Sequence, residues 1–331
     1  ETAPKTFIAR ETPYCDYEER SAVAVCGRGE MMPAAAPKRF GDRSLKGIGD
    51  ALRGYPEEDL SCFVMKELFA LSPVLAEPEK MPFAPLSLPG DGFAVYDMGL
   101  NTTGFLHLTV RPESDISLYA VFNELLPESG VPAPDDNSCV NVVKWELAGG
   151  RAYDLVSFEP YTYRYIQLIS MGGAAEVTAV RQYRECYPAG ALVNAKTMPD
   201  PDLQAVYDAA VETFRQNATD IFMDCPSRER AGWLCDSFFT ARSEYALTGK
   251  NPVEHAFLEN FLLPESFACL PAGMLPMCYP ADHYDGVYIP NWAMWYGLQL
   301  EASRARGEGE ALIAAAKEKL YALAGFLGGF E

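Results

Sequence analysis

The sequence has 331 residues, with 46 acidic and 27 basic side chains, and its formal net charge is −19. Its Lys and Arg residues are scattered singly and form no basic patch, so nucleic acid is excluded as a partner. The 49% hydrophobic and 22% charged residues indicate a globular protein, and the length suggests about two domains. No apolar run approaches the ~18 residues of a membrane helix, so we expect no membrane partner.

The nine cysteines do not follow the spacing of a metal site or a disulfide framework. None forms a Cys-x-x-Cys pair, and only three histidines could help to bind a metal. We expect mostly buried free thiols, no metal and no cofactor, which favours a reducing compartment such as the cytoplasm. The chain begins at Glu1 without a basic-then-apolar leader. We therefore expect that a leader or an upstream piece has been removed, or that the chain is a fragment.

Residues 1–91 contain ten prolines, which interrupt any regular element. This pattern predicts an irregular lead-in that packs on the next domain. Short helices are expected near residues 45–52 and 59–71.

Residues 92–187 show the period of two that is typical of β-strands. Leu106, Leu108 and Val110 share one face, for example, and glycine pairs at 149–150 and 172–173 mark turns. The candidate strands cover residues 105–110, 116–122, 139–146, 153–158, 163–171 and 175–183. Short strands at this spacing predict an antiparallel β-sandwich domain.

Residues 188–331 change to a helical period. Asp200 before Pro201 predicts an N-cap and the first turn of a helix, and Asn251 with Glu254 predicts a capping box. About five helices are expected from Pro201 onward, with no strands. The fold class is therefore β plus α, in the order sandwich and then helices.

One charged stretch, residues 224–236, lies between apolar sequences: Asp-Cys-Pro-Ser-Arg-Glu-Arg-Ala-Gly-Trp-Leu-Cys-Asp. Pro226 and Gly232 predict a loop, and a helix is expected over residues 233–247. Two interpretations remain open from charge alone. The arginines could neutralise the acids at a helix start, or neighbouring carboxylates could raise one pKa and supply the acid for glycosidic cleavage. An indole beside them, Trp233, would give a flat apolar face for a sugar ring.

The stretch resembles the signature of glycoside hydrolase family 78, the bacterial α-L-rhamnosidases, which opens the sugar site of an (α/α)6 barrel. All fixed letters of that signature are present between Asp224 and Asp236. Cys235 stands where the family commonly has Gly, and we expect it to narrow the floor of the site. Residues 96–104 and 158–165 resemble strands of the family's β-sandwich, and residues 7–14 resemble the segment that leads into it.

The resemblance implies a role for each polar residue of the stretch. Glu229 would be the general acid, and Asp224 and Asp236 would hold rhamnose hydroxyls and adjust the protonation of Glu229. Arg228 would fix a carboxylate or a hydroxyl, and Trp233 would lie against the ring and its methyl group. A long loop over residues 279–292, rich in Tyr, Asp and Trp, is expected to line the site. Its candidate substrate-binding residues, with one from the helix that follows, are Asp282, Tyr288, Trp292 and Trp295.

The resemblance also implies a missing part. The family's reaction inverts configuration, which requires a second carboxylate as base, and no residue here matches the family's base. The residues that follow Pro201 are too few for twelve helices of about 11 residues each. We expect residues 188–331 to be the first part of the barrel, completed by the rest of the same protein or by a second copy. Such a half barrel should expose parts of residues 257–263. The alternative function is a non-hydrolytic carbohydrate-binding protein that keeps the acids for recognition.

Overall fold

The computed structural model describes residues 8–38, 63–77, 80–267, 270–280 and 286–330. Contacts divide the chain into two compact units. The sheet unit is Tyr17–Glu185, and the helical unit combines Glu1–Asp16 with Cys186–Glu331. The predicted order of antiparallel strands followed by helices is confirmed.

The sheet unit is built on one ten-stranded sheet, in which every pairing with a described register is antiparallel. The central order is β1-β10-β6-β9-β7-β8; β2 pairs with β3, β4 and β6, and β5 pairs with β10. The strands are β1 Asp16–Ser21, β2 Ala24–Pro33, β3 Leu71–Glu77, β4 Met81–Pro82, β5 Leu86–Leu88, β6 Gly92–Pro112, β7 Ile116–Asn123, β8 Val142–Leu147, β9 Tyr153–Met171 and β10 Ala175–Cys186.

Two apolar clusters bury both faces of the central strands. Alternate residues of β6, such as Tyr96 and Leu108, contribute to one cluster. Phe93, also in β6, belongs to the other cluster. Helix α1 (Phe63–Phe69) contributes Met65 and Leu68 to that second cluster. Alternate residues of β6 therefore pack into different clusters, as expected for a strand whose sheet is buried by apolar residues on both faces.

The strands predicted after residue 92 overlap β6 to β10, although the predicted strand 139–146 begins before β8 and the predicted strands 153–158 and 163–171 form the single strand β9. The sequence missed the five earlier strands. Residues before Gly92 supply β1 to β5, where an irregular lead-in was expected. The predicted helix at 59–71 overlaps α1, and the one at 45–52 lies outside the described residues. The domain limits 1–91, 92–187 and 188–331 stay predictions, and they differ from the contact-based division, in which β2 to β5 belong to the same unit as β6 to β9.

The helical unit contains five α-helices within its described residues, as predicted. Asp200 is an N-cap, and its Oδ1 accepts the N–H groups of Asp202 at 2.8 Å and Leu203 at 3.1 Å. None of the described helices combines the length and hydropathy needed to cross a membrane. The helices are α2 Pro201–Asn217, α3 Leu234–Thr248, α4 Pro252–Asn260, α5 Pro290–Ala305 and α6 Glu310–Gly328.

One expectation for these helices was wrong, and a second holds only at Leu263. The capping box does not form, because the buried Glu254 pairs with Arg306 and the Asn251 side chain donates to Ala241 O at 2.8 Å. Residues 257–263 are mostly not exposed: Phe257, Leu258 and Phe261 are fully buried, and Leu263 alone of the three leucines is largely exposed. The (α/α)6 barrel remains a prediction.

Candidate active site

The first half of the charged stretch forms a closed loop between α2 and α3. The backbone N–H of Asp224 donates to Ala231 O at 3.1 Å, and the N–H of Ala231 donates to the Asp224 side chain at 3.2 Å. Residues 226–229 form a turn between these ends, and Arg230 has a φ of 50° in the left-handed region. The loop therefore brings the carboxyl-bearing residues at its two ends together.

The second half of the stretch is held by residues 277–279, a segment that ends at the first residue of the loop predicted to line the site. Trp233 forms a β-bridge with Cys278, and the N–H of Tyr279 donates to Gly232 O at 3.0 Å. A Cβ at Gly232 would lie 2.5 Å from Tyr279 O and 2.7 Å from the Phe257 ring, so this approach requires glycine. Gly232 in the signature was the one feature of the sequence that could have indicated a close approach by another segment.

The loop places three side chains of the stretch within contact distance. The side-chain oxygen or sulfur atoms of Asp224, Cys225 and Glu229 all lie within 4.8 Å of one another. Arg228 Nη2 lies 2.5 Å from Glu229 Oε1; the Arg228 side chain is 41% exposed and that of Glu229 17%. Glu229 is therefore paired with an arginine, as the charge-neutralising interpretation predicts, but at a partly open position and not in a packed interior.

Glu229 affects the protonation of two aspartates of the stretch. Burial and the hydrogen bond with Glu229 raise the pKa of Asp224 to about 6. Burial and the charge of Glu229 also raise the pKa of Asp236, in the first turn of α3. Carboxylates at this separation need a shared proton or a cation between them. Since Asp224 keeps its proton up to about pH 6, the pair can hold one proton in weakly acidic solution.

The predicted aromatic residues fall into two groups. Trp233 and Trp292 both pack on the small apolar cluster of Ala231, Met277 and Cys278. The buried Nε1 of Trp292 has no hydrogen-bond acceptor among the described residues. These two indoles therefore pack on a cluster that includes Ala231, the residue whose N–H donates to the Asp224 side chain.

The other aromatic candidates pack among the helices. Trp295 lies against Phe238, with ring centroids 4.9 Å apart, and Tyr288 lies against Phe326 at 5.9 Å. No described contact joins Trp295 or Tyr288 to the acidic residues of the loop. Asp282 lies outside the described residues.

Two carboxylates are deeply buried among the described residues of the helical unit: Glu244, which the sequence analysis did not single out, and Glu254, to which it gave a capping role. Glu244 accepts the N–H groups of Val253 and Glu254, each at 3.1 Å, so a side chain of α3 caps α4. Burial raises the pKa of Glu244 to about 8, against the effect of these hydrogen bonds. Burial also raises the pKa of Glu254 to about 7, although the charge of Arg306 opposes the shift. Their partners are structural, so large pKa shifts alone do not identify the site.

Comparisons with known proteins agree with the resemblance. Residues 197–299 match the model of the bacterial α-L-rhamnosidase six-hairpin glycosidase domain. A search of the curated proteins finds no match. A rhamnosidase from Klebsiella oxytoca with rhamnose bound is similar in fold, with a TM-score of 0.64 and 17% identity over 95% of this chain and 57% of that one.

Two further solved structures share the fold. A family 78 rhamnosidase of Bacillus sp. GL1 gives a TM-score of 0.62 at 20% identity, over 78% of this chain and 30% of that one. An α-L-rhamnosidase from Dictyoglumus thermophilum gives a TM-score of 0.58 at 18% identity, over 78% of this chain and 31% of that one. The chain thus spans about a third to a little over half of the length of these proteins. Residues 197–299 therefore match the six-hairpin glycosidase domain of the bacterial α-L-rhamnosidases, and the chain shares its fold with solved rhamnosidases, one of them of glycoside hydrolase family 78.

Proposed function

We propose that the protein is part of an inverting glycoside hydrolase that removes terminal α-L-rhamnosyl residues, or residues of a similar deoxy sugar. The observation that carries this proposal is the Asp224–Glu229 pair, which can hold one proton at a partly open position of the matched domain. A carboxyl group that keeps its proton in weakly acidic solution is what protonation of a glycosidic oxygen requires. The solved Klebsiella oxytoca relative has rhamnose bound, which favours that sugar.

In the proposed reaction Glu229 gives its proton to the glycosidic oxygen as the bond between that oxygen and the anomeric carbon breaks. Water attacks the anomeric carbon from the opposite face and loses its proton to a base, so the sugar leaves with inverted configuration. Asp224 returns a proton to Glu229 or shares one with it, and Arg228 orients the Glu229 carboxyl. The base would lie outside these 331 residues, in the remaining part of the barrel or a second copy.

The aromatic residues would provide the apolar wall. Trp233 and Trp292 would face the ring and its methyl group, and the unpartnered Nε1 of Trp292 suits a sugar hydroxyl. Asp236 would bind another hydroxyl. Trp295, Tyr288 and Asp282 stay weaker candidates for substrate contacts, because no described contact places them beside the pair.

The proposed architecture follows the same family pattern. Residues 92–187 would form the β-sandwich and residues 188–331 the first part of an (α/α)6 barrel. The family-model match over residues 197–299 supports the second assignment.

The test is release of the aryl group from a nitrophenyl α-L-rhamnoside by the full-length protein. Glu229→Gln keeps the shape but loses the proton donor, so kcat should fall by about 10³-fold. Glu318→Gln, an exposed residue of α6, is the matched control and should stay within about twofold of the parent. Parent-like activity in Glu229→Gln would refute its role as the acid. Turnover by the 331-residue chain alone would show that the base lies within it.

The second candidate is a non-hydrolytic carbohydrate-binding protein. The Arg228–Glu229 ion pair favours it, because an ionised Glu229 recognises hydroxyls and does not donate a proton. Calorimetric binding of rhamnose by the full-length protein, together with no turnover over a range of pH, would support this candidate. Release of the aryl group would exclude it.

A further inference from the structure

Cys225 lies at the start of the turn that joins the two carboxyl groups of the candidate site. Its sulfur accepts the backbone N–H of Glu229 at 3.5 Å and also interacts with the backbone N–H of Arg228. Its sulfur also lies within 4.8 Å of a carboxyl oxygen of Asp224, and its thiol lowers the pKa of that carboxyl group. One side chain thus contacts the main chain that carries the proposed acid and the carboxyl group of the acid's partner.

The contacts of Cys225 resemble those of an N-cap residue, although residues 226–229 form a single turn and not a helix. Pro226 follows the cysteine at the position where a missing N–H is tolerated, and residues 226–229 form the turn. An N-cap side chain usually accepts from the second or third residue after it. Here the Cys225 sulfur interacts with the N–H groups of the third and fourth residues after it, Arg228 and Glu229. The longer C–S bond and the longer hydrogen bonds of sulfur suit this greater reach.

The protonation of Cys225 determines what it can donate. Burial is the largest influence on its thiol and raises its pKa, so the sulfur keeps its proton at neutral pH. A protonated thiol can donate to a carboxylate of Asp224 while it accepts main-chain N–H groups. Reactivity as a thiolate is correspondingly suppressed, which indicates a structural link and not a nucleophile.

We propose that Cys225 is the positioning residue of the acid pair: its thiol fixes the Glu229 main chain and the Asp224 carboxyl at the separation at which they share a proton. This inference rests on the proposed function for its catalytic meaning. The thiol acts through Asp224 and Glu229 and takes no part in bond breaking. A role limited to the stability of the loop would leave the titration of Asp224 unchanged.

The first readout does not need activity. In the 331-residue chain, the midpoint of the Asp224 carboxyl titration is followed by carbon-13 NMR of labelled aspartate, with assignment by Asp224→Asn. The thiol hydrogen bond lowers the pKa of Asp224, so Cys225→Ala should move the midpoint upward by roughly 0.5–1 on the pH scale. Cys225→Ser retains a donor and should reverse most of that change. Cys26→Ser, in the sheet unit, is the control for loss of a thiol and should leave the midpoint unchanged.

The second readout uses the full-length protein and the nitrophenyl rhamnoside. Cys225→Ala should lower kcat about 10- to 100-fold with KM within about twofold, shift the pH profile, and be rescued in part by Cys225→Ser. Cys225→Val fills a similar volume without a donor and replaces the alanine variant if that variant does not fold. An unchanged Asp224 midpoint in the folded alanine or valine variant overturns the inference.

The two readouts separate the two proposals. A shifted Asp224 midpoint in a full-length protein without glycosidase activity would refute the proposed function and keep the positioning role of Cys225. Glycosidase activity that depends on Glu229, with an unshifted midpoint and unchanged kcat in Cys225→Ala, would refute the positioning role and keep the proposed function.

Discussion

At the scale of single residues, Asp97 joins the two segments of the sheet unit that resemble family strands. Its carboxyl accepts Arg164 Nε at 2.9 Å, Lys80 Nζ at 2.7 Å and the N–H of Gly99 at 2.7 Å. Burial alone would raise the pKa of Asp97, but the hydrogen bonds from Arg164 and Lys80 lower it well below its usual range. This carboxylate therefore stays charged in a buried position because its acceptor capacity is filled.

Asp97→Asn should destabilise the sheet unit by about 2 kcal/mol, because a charged acceptor of several hydrogen bonds becomes a neutral amide. Arg164 and Lys80 are partly exposed and can turn to water, which limits the loss. Urea unfolding at pH 7 measures the change, with the exposed Glu113→Gln as control. Equal midpoints for the parent and Asp97→Asn would show that the buried pair contributes no net stability.

Residues with local partners were predictable, and those with distant partners were not. Asp200 caps a helix through N–H groups two and three residues away, a pattern that the sequence displays directly. Glu254 had the spacing of a capping box but pairs with Arg306, 52 residues later. The sequence of residues 224–236 predicted a charged loop before a helix, whereas the sulfur contacts of Cys225 needed coordinates.

At the scale of elements, the bridge between residues 232–234 and 277–279 fixes the entry to α3. The N–H of Leu234 donates to Met277 O at 3.0 Å, and the N–H of Tyr279 donates to Gly232 O at 3.0 Å. No helical or strand period in the sequence indicates these bonds, because each segment contributes one or two residues. Strand β2 illustrates the same limit, since its partner β6 begins about 60 residues after β2 ends.

Gly232→Ala should destabilise the helical unit by about 2–3 kcal/mol, since its Cβ would meet Tyr279 O at 2.5 Å, a backbone atom that cannot move aside. Gly325→Ala is the matched control within α6, where the added Cβ meets nothing within 4 Å. That substitution should stabilise by about 0.5–1 kcal/mol through helix propensity. Thermal unfolding of both variants measures the two changes in stability. Equal melting temperatures for the two variants would contradict the close approach at Gly232.

At the scale of the whole molecule, the two units contain buried acidic residues whose pKa values are shifted in opposite directions. In the helical unit the pKa values of Glu244, Glu254 and Asp224 are raised to about 8, 7 and 6. A carboxyl group whose pKa is raised by folding contributes its full stabilisation below about pH 4.5. This contribution is lost as the pH rises through the pKa of the group in the folded state. In the sheet unit the lowered pKa of Asp97 has the opposite effect, and its contribution is lost as pH falls below about 4.

The helical unit should therefore lose protection from hydrogen exchange between pH 5 and pH 8.5, while the sheet unit keeps it. For the fully buried Glu244 the loss amounts to at most about 4 kcal/mol, because each tenfold change in an ionisation constant corresponds to about 1.4 kcal/mol. Exchange followed by mass spectrometry, corrected for intrinsic rates, resolves peptides from α3 and α4 and from β6 and β9.

Glu244→Gln provides the test of this pH dependence, since the amide cannot ionise; its single oxygen can accept only one of the two N–H groups that Oε1 and Oε2 of Glu244 accept from Val253 and Glu254. Its α3 and α4 peptides should show a flatter pH profile than the parent, while Asp97→Asn should alter only the acid side of the β6 and β9 profile. If protection of α3 and α4 rises with pH in the parent, Glu244 is ionised in the folded state, and its bonds to the start of α4 outweigh its burial.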